Sequence, residues 1–287
     1  MRTVGQLVLS SRPLSWINTA FPFAAAYLLT TGRVDAAFVI GTVYFLVPYN
    51  LAMYGINDVF DYESDLRNPR KGGVEGALLA PSIHRTTLWA AAITNVPFLV
   101  ALAILGTPLS WAVLAISVFA VVAYSAKGLR FKEKPFLDSI TSSTHFVSPA
   151  VYGLVLGGAA FTPALWLILV AFFLWGMASH AFGAVQDVIA DREGGLASIA
   201  TVIGARATTR LSVVAYALAG VLVLGTEWPG PLAALAAVPY VASTAQFWNI
   251  TDETAESANR GWKRFLWLNF LAGAIVTMLL IGWSLLR

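Results

Sequence analysis

Apolar residues along this chain come in long unbroken runs, not in the strict alternation of a half-buried strand. Runs near 14–31, 36–56, 86–106, 109–126, 139–160, 163–186, 208–226, 229–247 and 264–285 each approach the roughly 20 residues that a helix needs to cross a bilayer. This pattern predicts an all-α fold, a polytopic membrane helical bundle of about nine transmembrane helices in a single domain over residues 1–287. Connections of two kinds alternate between the runs. Thr107-Pro108, Thr162-Pro163 and Trp228-Pro229 mark tight turns, whereas 57–85, 127–138, 187–207 and 248–263 are long and polar.

Composition agrees. Charged residues make up 11% of the chain, against about 25% in an average soluble domain. The 18 Lys and Arg and 15 Asp and Glu cannot cover a 287-residue globule. A soluble enzyme, a disordered chain and a nucleic-acid binder are therefore excluded. With no Cys there is no disulfide framework, zinc finger, iron–sulfur site or thiol nucleophile. The segment Met1 to Pro13 shows no small-residue cleavage site after a short apolar core, so the first run is expected to act as a retained anchor.

Charge placement says more than charge content. If nine runs cross, every long loop lies on one side with the N-terminus. Of the basic residues, only Arg33 and Arg287 fall on the other side. The positive-inside rule then makes the long-loop side cytoplasmic, with the N-terminus inside and the C-terminus outside a bacterial cell membrane. Acidic residues do not govern orientation, yet only Asp35 and Glu227 depart from the same side. Both signs concentrated at one end suggest a site there.

The sharpest motif is Asn57-Asp58-Val59-Phe60-Asp61-Tyr62-Glu63-Ser64-Asp65, closing the second run. Asp58, Asp61 and Asp65 are spaced i, i+3 and i+7, so a continuing helix would put all three on one face. They would cover roughly 10 Å at about 1.5 Å per residue. Stacked like charges repel, and Mg²⁺ supplies a reason for them, since it takes hard oxygen ligands together with waters and substrate phosphates. A second cluster, Gln186-Asp187-Val188-Ile189-Ala190-Asp191, closes the sixth run with Asp187 and Asp191 at i, i+4. A carboxamide precedes the first Asp of each. Two such motifs on one predicted side point to a Mg²⁺-held diphosphate. By contrast Glu63, Glu75, Glu133, Asp138, Glu193, Asp252, Glu253 and Glu256 read as solvated helix ends.

Lys127, Arg130 and Lys132 follow the fourth run, and Arg67, Arg70 and Lys71 follow the first motif. They are suited to diphosphate oxygens, although topology alone would also put them there. Tyr124 either hydrogen-bonds a phosphate or belongs to an interfacial aromatic belt. Polar groups inside runs are costly and often functional; these are Asn50, Asn95, His145, His180, Gln246 and Asn269. For His180 an interhelical hydrogen bond is the preferred role; for His145 it competes evenly with a cavity-facing one. Phe21, Tyr44, Tyr49 and Tyr54 are candidates to line a cavity for a carbocation.

The two Asp motifs, the Tyr124–Lys132 stretch and the nine-run layout resemble the UbiA superfamily of intramembrane prenyltransferases over nearly the whole chain. The resemblance implies that Asn57, Asp58, Asp61, Asp65, Asp187 and Asp191 ligate Mg²⁺–diphosphate directly or through water. It also implies that Tyr124, Arg67, Arg130, Lys132, His145 and Tyr54 contact substrate, and that Asp58, Asp61, Asp187 and Lys127 serve catalysis. Quinone-forming members follow the first motif with an Arg-Pro-x-x-x-Gly-like stretch; here it is Asn68-Pro69-Arg70-Lys71-Gly72-Gly73. That stretch, with Pro48–Ile56, Thr141–Phe146 and Phe247–Asp252, is closely similar to actinobacterial lycopene elongases.

The resemblance therefore implies Mg²⁺-dependent transfer of C5 units from dimethylallyl diphosphate to the ends of lycopene, giving C50 carotenoids, with other carotenoid-pathway enzymes as partners. A quinone, tetrapyrrole or other lipid acceptor is the alternative within the family. A transporter of cations or phosphate esters is the alternative outside it. A transporter needs a polar path, and the outer side here is nearly bare of ionisable groups.

Overall fold

The computed structural model describes residues 3–66 and 77–286, apart from the side chains at 64, 65 and 266. Every described regular element is α or 3-10 helix. The chain divides into two compact units, Met1–Phe131 with Thr144–Ala159, and Lys132–Ser143 with Ala160–Arg287.

The first unit opens with α1 (Thr3–Ser10), a 3-10 turn at Pro13–Ser15, and α2 (Ile17–Thr31). It continues with α3 (Ala36–Leu46), α4 (Pro48–Phe60), the short α5 (Tyr62–Asp65), α6 (Pro81–Leu105) and α7 (Pro108–Ser125). Helix α8 (Leu137–Gly157) begins in the second unit and continues in the first. The second unit adds α9 (Pro163–Val185), α10 (Val188–Glu193), α11 (Ile199–Val223), α12 (Ala234–Ala245) and α13 (Asn259–Leu285).

Each of the nine predicted stretches overlaps helix. Among the described residues, six helical segments are long and apolar enough to cross a membrane. Helix α2 and the α12 stretch are shorter, and α8 is made too polar by Thr141 to His145. The stretch 187–207, expected as loop, instead holds α10 and the first turns of α11. The tight turns form as expected: Thr107 and Thr162 each cap the following helix, accepting from Ser110 N and Leu165 N, with Pro as the first helical residue.

Helix α6 shows why the surface is a lipid surface. Trp89, Ile93, Val96, Val100 and Ile104 recur at helical spacing and are all exposed, while Thr87, Ala91, Asn95 and Leu102 on the other face are buried. An apolar stripe turned outward has no place in water.

The span Ala36–Phe60 is broken at Val47-Pro48, because Pro48 has no N–H and its ring clashes with the preceding turn. The carbonyls of Phe45 and Leu46 are satisfied from the side. Asn50 Nδ2 donates to both (2.8 and 3.1 Å) and to Thr19 Oγ1 (2.7 Å), and Thr19 Oγ1 donates to Phe45 O at 2.6 Å. Irregular backbone survives at membrane depth only when repaired in this way. Asn50→Leu should therefore lower the thermal midpoint in detergent, at about 1–3 kcal/mol per buried group left unpaired. An unchanged midpoint would show that the carbonyls find other donors.

Around the break the core is aromatic. Phe23, Tyr44, Phe45, Tyr49 and Tyr152 pack with ring centroids 4.9–5.9 Å apart. Tyr44 and Tyr49 are thus enclosed at 0% and 1% exposure and do not line a cavity. A relay of hydroxyls ties α8, α7 and α4: Ser148 donates to Ser117, Ser117 to Tyr49, and Tyr49 to His145 O.

Candidate active site

Helix α4 carries Tyr54, Asn57 and Asp58 along one face at helical spacing, with Asp61 just past its end in the same register. Asp58 is buried at 1% exposure. Its Oδ2 accepts from Ser10 Oγ at 2.9 Å, and its Oδ1 accepts from the Arg12 guanidinium at 3.0 Å. Arg12 also lies 4.2 Å over the Tyr54 ring. A buried carboxyl needs such pairing, and α1 with the turn after it supplies it. Nothing in the sequence singled out Ser10 or Arg12, because α1 is remote from the motif along the chain.

The helix does not continue smoothly through the motif. Asp61 closes α4 with φ −100° and ψ −1°, and α5 begins after it. The expected three-carboxylate face on one continuous helix is therefore interrupted at Asp61. Asp187 adopts nearly the same backbone, φ −99° and ψ −2°, between α9 and α10. In both places a long helix is followed through an Asp by a short helix carrying a second Asp four residues on. The conformational match thus pairs Asp61-x-x-x-Asp65 with Asp187-x-x-x-Asp191, one turn away from the pairing suggested by Asn57-Asp58 and Gln186-Asp187. The side chain of Asp65 and all of Arg67 lie outside the described residues.

The two carboxamides act as struts. Asn57 Nδ2 donates to Asp61 Oδ2 at 2.6 Å and to Ser125 Oγ, at the end of α7, at 2.9 Å. Gln186 Nε2 donates to Gly183 O, and its Oε1 accepts from Asn259 Nδ2, at the start of α13, at 2.5 Å. Each fastens the motif-bearing helix to a neighbour.

The basic loop after α7 turns back at Gly128 (φ 91°) and Arg130 (φ 41°), both in the left-handed region. This brings the Arg130 guanidinium to 3.9 Å from Asp61 Oδ1, joining the acidic motif to the loop. Lys127 is exposed on the turn, and the Tyr124 ring meets the buried His145 ring edge-on at 5.3 Å. Lys132 sits half-buried on the 3-10 turn Phe131–Glu133 and counts with the second unit. In that unit Asp187 and Asp191 are both half-buried. His180 Nδ1 lies 3.2 Å from Ser139 Oγ, in keeping with its expected interhelical bond.

Two acids expected at solvated helix ends are structural. Asp138 is fully buried, and its Oδ2 accepts from Ile199 N, at the start of α11, at 2.7 Å. Asp252 accepts from Ala205 N at 2.7 Å and pairs with Arg192 at 2.5 Å. It thereby restarts α11 where Gly204 (φ 82°, ψ 161°) breaks it.

The donors at both motifs are hard oxygens, as Mg²⁺ requires. Mg²⁺ is commonly held by one or two carboxylates plus waters and substrate phosphates rather than by an all-protein cage. Among the described residues no three His, Asp or Glu side chains gather into such a cage.

Known proteins bear on this arrangement. Residues 19–271 match the UbiA prenyltransferase family. A Corynebacterium glutamicum protein called lycopene elongase/hydratase is 60% identical over 282 residues, 98% of each chain. The C(50) beta-cyclic carotenoids biosynthesis protein LbtBC of Dietzia is 60% identical over 278 residues, 96% of this chain and 64% of that one. A UbiA homolog from Archaeoglobus fulgidus, bound to GPP and Mg²⁺, shares the fold with a TM-score of 0.68 at 18% identity, over 93% of this chain and 99% of that one. The family match, the full-length relatives and the lipid-facing helices lead to one conclusion: this chain is a multi-pass membrane prenyltransferase and belongs to the UbiA prenyltransferase family.

Proposed function

We propose that this enzyme transfers the C5 group of dimethylallyl diphosphate to the terminal double bonds of lycopene, releasing diphosphate and giving C50 carotenoids. The observation that carries this reading is 60% identity over 98% of both chains to a protein called lycopene elongase/hydratase. The diphosphate is taken by the two Asp motifs, Asp58, Asp61 and Asp65 with Asp187 and Asp191. Asn57, Tyr124, Arg67, Lys127, Arg130 and Lys132 assist. Mg²⁺, when bound with the substrate, would neutralise the diphosphate and ease its departure.

The allylic C–O bond breaks and its electron pair leaves on diphosphate, where the Lys and Arg side chains stabilise the growing charge. The aromatic face of Tyr124, with His145 behind it, shelters the allylic cation, while the Tyr54 ring carries the Arg12 guanidinium and helps fix Arg12 beside Asp58. A terminal double bond of lycopene donates its π pair to form the new C–C bond and becomes a tertiary cation. Water adds to that cation and gives up a proton, or a neighbouring C–H loses one. The word hydratase in the relatives' names supports water. The enzyme sits in the bacterial cell membrane, with the long loops and N-terminus cytoplasmic and the C-terminus outside, as charge placement supports.

Expression in lycopene-accumulating cells tests this directly. Lycopene should give way to C45 and then C50 products, separated by chromatography and mass. Unchanged lycopene beside verified membrane expression would redirect the acceptor to a quinone, tetrapyrrole or other lipid.

A further inference from the structure

The first unit carries an open-mouthed surface pocket of about 340 Å³ that the prenyl-transfer chemistry does not use. Its lining comes from four helix ends: Tyr27 of α2, Asp35, Ala36 and Ala37 at the start of α3, Leu105 at the end of α6, and Leu156 near the end of α8. Its volume falls within the range of small-molecule pockets, about 300–1,000 Å³. It lies at one end of the broken helix α3–α4, whose other end carries Asp58 and Asp61. The span between them is 25 residues long, at most about 36 Å at ~1.5 Å per residue because it is broken at Val47-Pro48. That is comparable to the bilayer's hydrocarbon thickness of about 30 Å.

The lining is apolar except for one polar pair. The Tyr27 hydroxyl donates to Asp35, 3.0 Å from Oδ2 and 3.2 Å from Oδ1, and Phe38 N donates to Oδ1 at 3.0 Å. The Phe38 N–H holds the Asp35 carboxyl below its ordinary pKa, so it remains an acceptor at neutral pH. A carboxylate offers roughly four lone-pair positions, so these contacts leave capacity for a further hydroxyl donor.

We infer that this pocket holds the already elongated, hydroxyl-bearing end of the acceptor while its other end reacts beside the aspartates. The inference rests on the proposed function. A conjugated C40 polyene is a stiff rod of membrane-spanning length, so its two ends cannot both lie at the aspartates. In the second addition the far end is no longer a bare hydrocarbon. It is longer by one C5 unit and, where water quenched the cation, it carries a tertiary alcohol. An apolar pocket with one acceptor pair at the far end of the same helix suits that terminus.

The experiment measures both additions in membranes supplied with lycopene and dimethylallyl diphosphate. Ala36→Trp and Leu105→Trp each fill the pocket from exposed rim positions, and each tests the idea should the other fail to fold. Lycopene consumption should stay within about twofold of the parent, while conversion of C45 to C50 falls roughly tenfold or more, a discrimination typical of pocket steric changes. Asp35→Asn, which keeps an oxygen for the Phe38 N–H but offers fewer acceptor positions, should slow only the hydroxylated C45. An unchanged C45 to C50 ratio in a folded Trp variant, or an equal fall in both additions, overturns the inference. A parent protein that leaves lycopene untouched removes the proposed function, and the inference with it.

Discussion

Asp61→Ala and Asp187→Ala should each lower prenyl transfer by roughly 10²–10³-fold or more, the loss expected when one preorganised charge-stabilising group leaves an active site. The thermal midpoint in detergent should move little for Asp187→Ala and fall modestly for Asp61→Ala, whose carboxyl is buried beside the Asn57 amide. Asp61 is held by the Asn57 amide and lies near the Arg130 guanidinium. Asp187 adopts the matching backbone at the second motif. Conversion of lycopene and release of diphosphate are the two readouts, and both should fall together. Near-normal turnover in either variant would remove that carboxyl from the diphosphate site. Asp58→Ala should behave differently. It strips the partner from the Arg12 guanidinium and from Ser10, so activity and stability should decline together. If Arg12→Ala restores the midpoint of Asp58→Ala without restoring turnover, the structural and chemical parts of Asp58 are separated.

The largest stability effect is expected at Asp138. Its Oδ1 accepts from Ser139 N at 2.6 Å and from Ser139 Oγ at 3.2 Å, and its Oδ2 accepts from Ile199 N. Asp138→Ala leaves the buried Ser139 N and Ile199 N without this acceptor, at about 1–3 kcal/mol each, while Ser139 Oγ keeps His180 Nδ1. It also removes an acidic group from the N-terminal end of α11, where the helix dipole favours one. Thermal unfolding should shift clearly downward. Asp138→Asn, which keeps one oxygen acceptor, should shift by less than half as much. Equal midpoints for the alanine variant and the parent would mean that Ile199 N is satisfied elsewhere.

The residues that went unrecognised share one feature. Asp138 and Asp252 stand at helix starts in polar loops, where an Asp normally caps its own helix or faces water. Their decisive partners are 61 and 47 residues away along the chain. Ser10 and Arg12 reach Asp58 across 48 and 46 residues. Local spacing carries no trace of such pairings. Tyr44 and Tyr49 illustrate the same limit from the other side, since an aromatic in a membrane run looks alike whether it lines a cavity or fills a core.

By itself the sequence determined that the chain is helical and membrane-embedded, and it placed an Asn-Asp-x-x-Asp-x-x-x-Asp motif and a Gln-Asp-x-x-x-Asp motif at the ends of two apolar runs. Those properties follow from hydrophobic run length and from periodicity, which act over a few helical turns. Only the tertiary structure decided that the first motif bends at Asp61, that Asn50 repairs the break before Pro48, and that Arg12 anchors Asp58. It also disclosed a surface pocket at the far end of α3–α4. Each of these depends on which helices become neighbours. Buried polar groups must find partners wherever packing brings them, and that choice is made by the whole fold rather than by the residues on either side.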